Sequence, residues 1–165
     1  MKDDMLPLIE ELIRIELNVA DLYLLFSMSF KEDKDFWWQL TMEEKNHAAL
    51  VLSAKEIYEE TGFFPQGLIP RRADALKETN RSIRALIDKY KITSPSREEA
   101  MNVAFKLEKS AGEIHYQKFI ESKACSAVDK IFQDLSRDDR DHSMKISSYM
   151  ERNGYPILEI EADNT

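Results

Sequence analysis

Apolar residues recur three and four positions apart over four long stretches of this chain, the period of a helix with one buried face. The first stretch, about Asp4 to Phe30, lines up Ile9, Leu12, Ile13, Val19, Ala20, Tyr23 and Phe26. The second, about Asp35 to Thr61, lines up Trp37, Leu40, Ala48, Val51, Ala54 and Tyr58, and it stops at Gly62. A third begins at Ser94-Pro95-Ser96, where Ser96 and Glu99 have capping-box spacing, and carries Met101, Ala104, Phe105, Ala111 and Phe119 inward. The fourth runs from near Ser126 through Val128, Ile131, Phe132, Leu135, Ile146 and Tyr149 to Asn153-Gly154.

Only short links separate the first stretch from the second and the third from the fourth, which predicts two antiparallel hairpins. A long link, Gly62 to Thr93, joins the hairpins. Within it Ala73 to Tyr90 predicts a further helix, with Leu76, Ile83, Leu86, Ile87 and Tyr90 apolar. Two hairpins joined by one long crossover make an all-α, ferritin-like four-helix bundle. The expected domain covers residues 1–154, and 155–165 is a C-terminal tail with no assigned role.

Each inner stripe is interrupted by polar residues. Glu16 lies between Ile13 and Ala20, Glu44 and His47 between Leu40 and Val51, Glu108 between Phe105 and Ala111, and Asp139 and His142 between Leu135 and Ile146. Burying four carboxylates and two imidazoles without compensation costs several kcal/mol for each ion. Two divalent cations would balance the four carboxylates, and the mixture of oxygen and imidazole donors suits iron, manganese or zinc better than calcium or magnesium.

The interruptions also repeat. Leu40 to His47 aligns without a gap with Leu135 to His142, and Ile15-Glu16 aligns with Leu107-Glu108. Seven residues further on, Tyr23 matches His115. The second hairpin reads as a copy of the first, so an approximate twofold axis with one half-site per hairpin is expected. Within the copy, Asp139 is the register partner of Glu44, with its neighbour Asp138 as the other candidate for that role.

A lone Glu, a Glu-x-x-His, a second lone Glu and an acid-x-x-His, one per helix, resembles the rubrerythrin group of ferritin-like di-iron proteins over roughly Asp4 to Arg152. The resemblance implies two iron ions held by Glu16, Glu44, His47, Glu108, Asp139 and His142, with manganese or zinc as alternatives. Glu44 and Asp139 would bridge, Glu16 and Glu108 would be terminal or bridging, and each histidine would cap one iron. Tyr23 would hydrogen-bond a ligand carboxylate. The implied activity is that of an oxidoreductase reducing hydrogen peroxide or dioxygen, with electrons from a separate donor protein and a homodimeric assembly. The alternative is iron handling, as a ferroxidase, store or carrier. Three departures stand out: Asp139 replaces the usual Glu, the four cysteines of a rubredoxin-like domain are missing, and Ala111 and Gly112 fill the slots where peroxide-reducing members carry an extra Glu.

Composition narrows the remaining classes. A chain of 165 residues with 4 Gly and 5 Pro favours one long-helix domain. A net charge of −8 argues against a nucleic-acid partner. The start, MKDDMLPLIEEL, lacks the pattern of a signal peptide, and no apolar stretch approaches a membrane span. A cytoplasmic protein is therefore expected. The single cysteine, Cys125, excludes an intramolecular disulfide framework and reads as a small residue near a helix junction.

Overall fold

The computed structural model describes residues 2–63, 73–112 and 124–158, with the side chains of 2–4, 73, 110–112, 136, 139 and 140 left aside. The described residues are all-helical, in five helices: α1 (Lys2–Ser29), α2 (Lys34–Thr61), α3 (Ala73–Ile92), α4 (Arg97–Gly112) and α5 (Ala127–Arg152). No helix among them is long and apolar enough to cross a membrane. The predicted positions of Phe119 and His115 lie outside the described residues.

Local chemistry sets the helix ends. Gly62 closes α2 with a left-handed φ of 68° and donates its N–H to the Tyr58 carbonyl. Ser126 caps α5 by accepting from the Asp129 N–H at 3.0 Å, while the Asp129 carboxylate accepts from the Cys125 N–H at 2.9 Å. At α4 only half of the predicted capping box forms. Ser96 accepts the Glu99 N–H at 3.0 Å, but the Glu99 carboxylate turns away to Lys89 and Tyr90 of α3, at 2.9 Å each. Glu99 therefore ties two helices together rather than lying merely solvated.

Side-chain contacts fix the helix directions. Lys55 reaches Glu10 at 3.0 Å and Trp37 packs on Phe26, so α1 and α2 run antiparallel. Phe36 stacks on Tyr149 and Lys145 reaches Glu43 at 2.8 Å, so α2 and α5 are antiparallel too. The Asn102 amide of α4 bonds the backbone of Pro156 and Leu158, just beyond α5, and Glu108 lies near His142, which sets α4 antiparallel to α5. It follows that α2 and α4 point the same way, and α3 carries the chain back between them. The tail stretch Tyr155–Leu158 is docked on α4 by the same Asn102 contacts.

α3 lies along α1. The Asn80 amide donates to the Glu11 carbonyl at 3.0 Å and to its carboxylate at 2.7 Å, and its oxygen accepts from Asn18 at 2.7 Å. Ile83, Ile87 and Tyr90 then enter the larger of two apolar clusters, beside Phe26, Trp37, Met101 and Ile146. The smaller cluster gathers Ile9, Leu12, Val51, Ala54, Phe132 and Leu135. Trp38 is half-exposed, and Cys125 is exposed.

Candidate metal centre

The two apolar clusters sit at opposite ends of the bundle, and the polar interruptions of the stripes fall between them. On α1, Leu12 belongs to one cluster and Val19 to the other; on α2 the same holds for Val51 and Leu40, and on α5 for Leu135 and Ile146. Glu16, Glu44, His47, Glu108 and His142 therefore form a polar layer with apolar walls above and below. Glu44, His47, Glu108 and His142 are buried, while the side chain of Glu16 is 20 % exposed.

The layer has two matching halves. His47 Nδ1 lies 3.3 Å from Glu44 Oε2 and 3.8 Å from Glu16 Oε2. His142 Nδ1 lies 2.8 Å from Glu44 Oε1 and 3.6 Å from Glu108 Oε2. The two rings stack with centroids 5.1 Å apart. Glu44 is thus shared, one oxygen toward each imidazole. The Tyr23 hydroxyl donates to Glu108 Oε1 at 2.5 Å, so the role the resemblance implied for Tyr23 corresponds here to a short contact on Glu108. Asp139 occupies its expected turn of α5, but its side chain is not among those described.

The outward Nε2 edges of the rings meet carboxylates from across the bundle. His142 of α5 faces Glu43 of α2 at 2.8 Å, and His47 of α2 faces Asp138 of α5 at 3.5 Å. A carboxylate behind an imidazole fixes the ring and raises the basicity of its other nitrogen. These two backing groups were not singled out from the sequence as a pair. Their signal was the doubled acid at the repeated position, Glu43-Glu44 and Asp138-Asp139.

Electrostatics follow from this arrangement. Burial disfavours charge on His47, but Glu16 and Glu44 outweigh it and lift its pKa to about 11. His142 is lifted against burial to about 10 by Glu108 and Glu44. Glu44, despite its burial, is drawn down to about 2 by His142 and His47. Burial pushes Glu16 up to about 7, with His47 opposing and the Glu44 charge adding. Glu108 is likewise raised, by burial and then by Glu44. Three carboxylates share two imidazolium charges, and the surplus negative charge adds to burial in raising the outer pair.

The donor set fits a metal ion on two counts. One ligand atom from each of Glu44, His47 and His142 lies within 4.8 Å of the other two. Glu44 Oε1 and His142 Nδ1 are also buried and close, yet neither makes a hydrogen bond. Two buried polar atoms that close with no hydrogen bond between them cost free energy unless something else satisfies them. A cation placed between them would do so.

No family model, curated protein or solved structure matches this chain.

Proposed function

We propose that the chain is a ferritin-like di-iron oxidoreductase of the rubrerythrin type, reducing hydrogen peroxide or dioxygen. Support for the bundle type comes from the helix directions: α2 and α4 run parallel, which demands a crossover such as α3. The observation that carries the functional reading is the shared, buried Glu44. Its two oxygens point to two imidazoles whose Nδ1 atoms both turn inward, as a carboxylate between two cations requires.

Glu16 and His47 would hold one ion, Glu108 and His142 the other, with Glu44 between and Asp139 as the sixth ligand by its register. Two ferrous ions, when bound, would supply two electrons, which with two protons take hydrogen peroxide to water or dioxygen to hydrogen peroxide. The protein's own residues do the rest. Tyr23 holds Glu108 in one orientation, and Glu43 and Asp138 hold the rings. The apolar layers above and below keep bulk water from the two ends of the site. Electrons arrive from a separate donor protein.

Anaerobic reconstitution with Fe(II) tests this. Two irons per chain and a clear rise in thermal stability are expected, followed by turnover on mixing with peroxide or dioxygen and an external reductant. Fewer than one iron per chain (averaged over the preparation), with no stabilisation, refutes the metal centre. Oxidation of excess Fe(II) by dioxygen without turnover of peroxide would assign iron oxidation instead.

A further inference from the structure

A cavity of about 370 Å³ lies between α2 and α5 on the outer side of the two imidazoles. Its floor is formed by His47 and His142, its sides by Glu43, Asp138 and Asp141, and Met42 and Lys145 stand at its rim. The six waters of a hydrated divalent ion occupy roughly 180 Å³ at the volume of liquid water, so such an ion fits without shedding its shell. Glu43, Asp138 and Asp141 give it carboxylate oxygens on its sides, so a cation entering between α2 and α5 meets hard oxygen donors before it reaches the two rings.

Lys145 holds a particular place in it. Its Nζ lies 2.8 Å from one oxygen of Glu43 and 3.0 Å from the other. The same carboxylate also faces His142 Nε2 at 2.8 Å. A cation entering the cavity therefore competes with this ammonium for the carboxylate that backs a candidate ligand. The apolar layers at both ends of the site offer no comparable polar path among the described residues.

We propose that this α2–α5 cavity is the portal by which divalent cations reach the candidate centre, and that Lys145 sets the rate of passage by competing for Glu43. The proposal rests on the metal-centre reading, so rate and stoichiometry are measured separately. The full chain is mixed anaerobically with Co(II), and loading is followed by its visible absorption in wild type, Lys145→Gln and Met42→Trp. Both positions are largely exposed, at 42 % for the Lys145 side chain and 47 % for Met42, so the fold tolerates the changes.

At low salt Lys145→Gln should load about tenfold faster, the Coulomb effect in water of one unit charge on a divalent ion a few ångströms away. The advantage should shrink several-fold at high salt, where the charge is screened. Met42→Trp should load several-fold more slowly, and all three proteins should reach two ions per chain at equilibrium. Equal or slower loading by Lys145→Gln, or wild-type loading by Met42→Trp, with two ions still bound, overturns the portal and leaves the centre standing. Failure of wild type to bind cobalt at equilibrium overturns both.

Discussion

Replacing Glu44 by Gln removes the one charge that both halves of the site share while keeping size and shape. Glu44 is 3 % exposed and faces both imidazoles, at 2.8 Å and 3.3 Å. Breaking a buried ion pair from one side costs about 3–5 kcal/mol. Some of that returns, because the Glu44 charge also pushes Glu16 and Glu108 upward and its loss relieves them. A net loss near the lower end, about 3 kcal/mol, follows. For a chain of this size that lowers Tm by roughly 6–12 °C. The assay is urea unfolding with a chelator present, followed by a metal titration. The urea midpoint should fall with an unchanged slope, and bound metal should drop from two ions to one or none. Glu16→Gln serves as the comparison, since Glu16 faces one imidazole, His47, where Glu44 faces two, and is partly exposed. Should Glu44→Gln cost under about 1 kcal/mol, a value typical of an exposed pair, and still bind two ions, the bridging role assigned to Glu44 is refuted.

Stability without metal should depend on pH with a fixed sign. His47 and His142 rise from 6.5 to about 11 and about 10, so their contribution is complete below pH 6.5 and is lost as pH climbs through those values. Glu44 falls from 4.5 to about 2, so its contribution is present above pH 4.5 and lost on acidification toward 2. Glu16, raised from 4.5 to about 7, adds a decline across that interval and none above it, which draws the maximum toward the acid end. Urea midpoints in chelator should therefore peak between pH 4.5 and 6.5; a flat profile from 5 to 10 contradicts the ion-paired layer. Tyr23→Phe should weaken metal affinity about 10–100-fold, as loss of a group supporting a ligand does. Competition against a chromophoric chelator reads this, and unchanged affinity removes Tyr23 from the site. Asp33→Asn, which breaks the paired bonds from Arg97 at 2.7 and 2.6 Å, should cost about 2–3 kcal/mol in urea unfolding. A loss under about 0.5 kcal/mol, the level of a neutral surface change, would show that this clamp is not structural.

The five candidate ligands with described side chains could be selected from the sequence because a helix has a fixed period. Residues three and four apart share a face, so a carboxylate between Ile13 and Ala20, or a histidine between Leu40 and Val51, had to point the same way as its apolar neighbours. The repeat of the pattern in the second hairpin supplied the rest. Period alone does not say which other helix a face meets. The sequence could not place α3, because its docking on α1 depends on one buried amide, Asn80, meeting a carbonyl and a carboxylate nearly seventy residues away in the chain.

The same limit explains the side chains whose local signals were overruled. Glu99 has the spacing of a capping box, and Asp33 stands at the α2 N-cap, yet neither carboxylate caps its own helix. Glu99 finds Lys89 and Tyr90, and Asp33 finds Arg97 and Tyr149, the latter at 2.6 Å. A charge-assisted bond to a distant partner is stronger than a local bond to a neutral N–H, so tertiary neighbours win once the chain is folded. The sequence by itself determined the helices, their buried faces and the polar layer crossing them, because those depend on spacing within one helix. Only the tertiary structure decided that Glu44 is the carboxylate shared by both histidines and that Glu43 and Asp138 back them from opposite helices. Those facts depend on distances between helices, which no one-dimensional pattern contains.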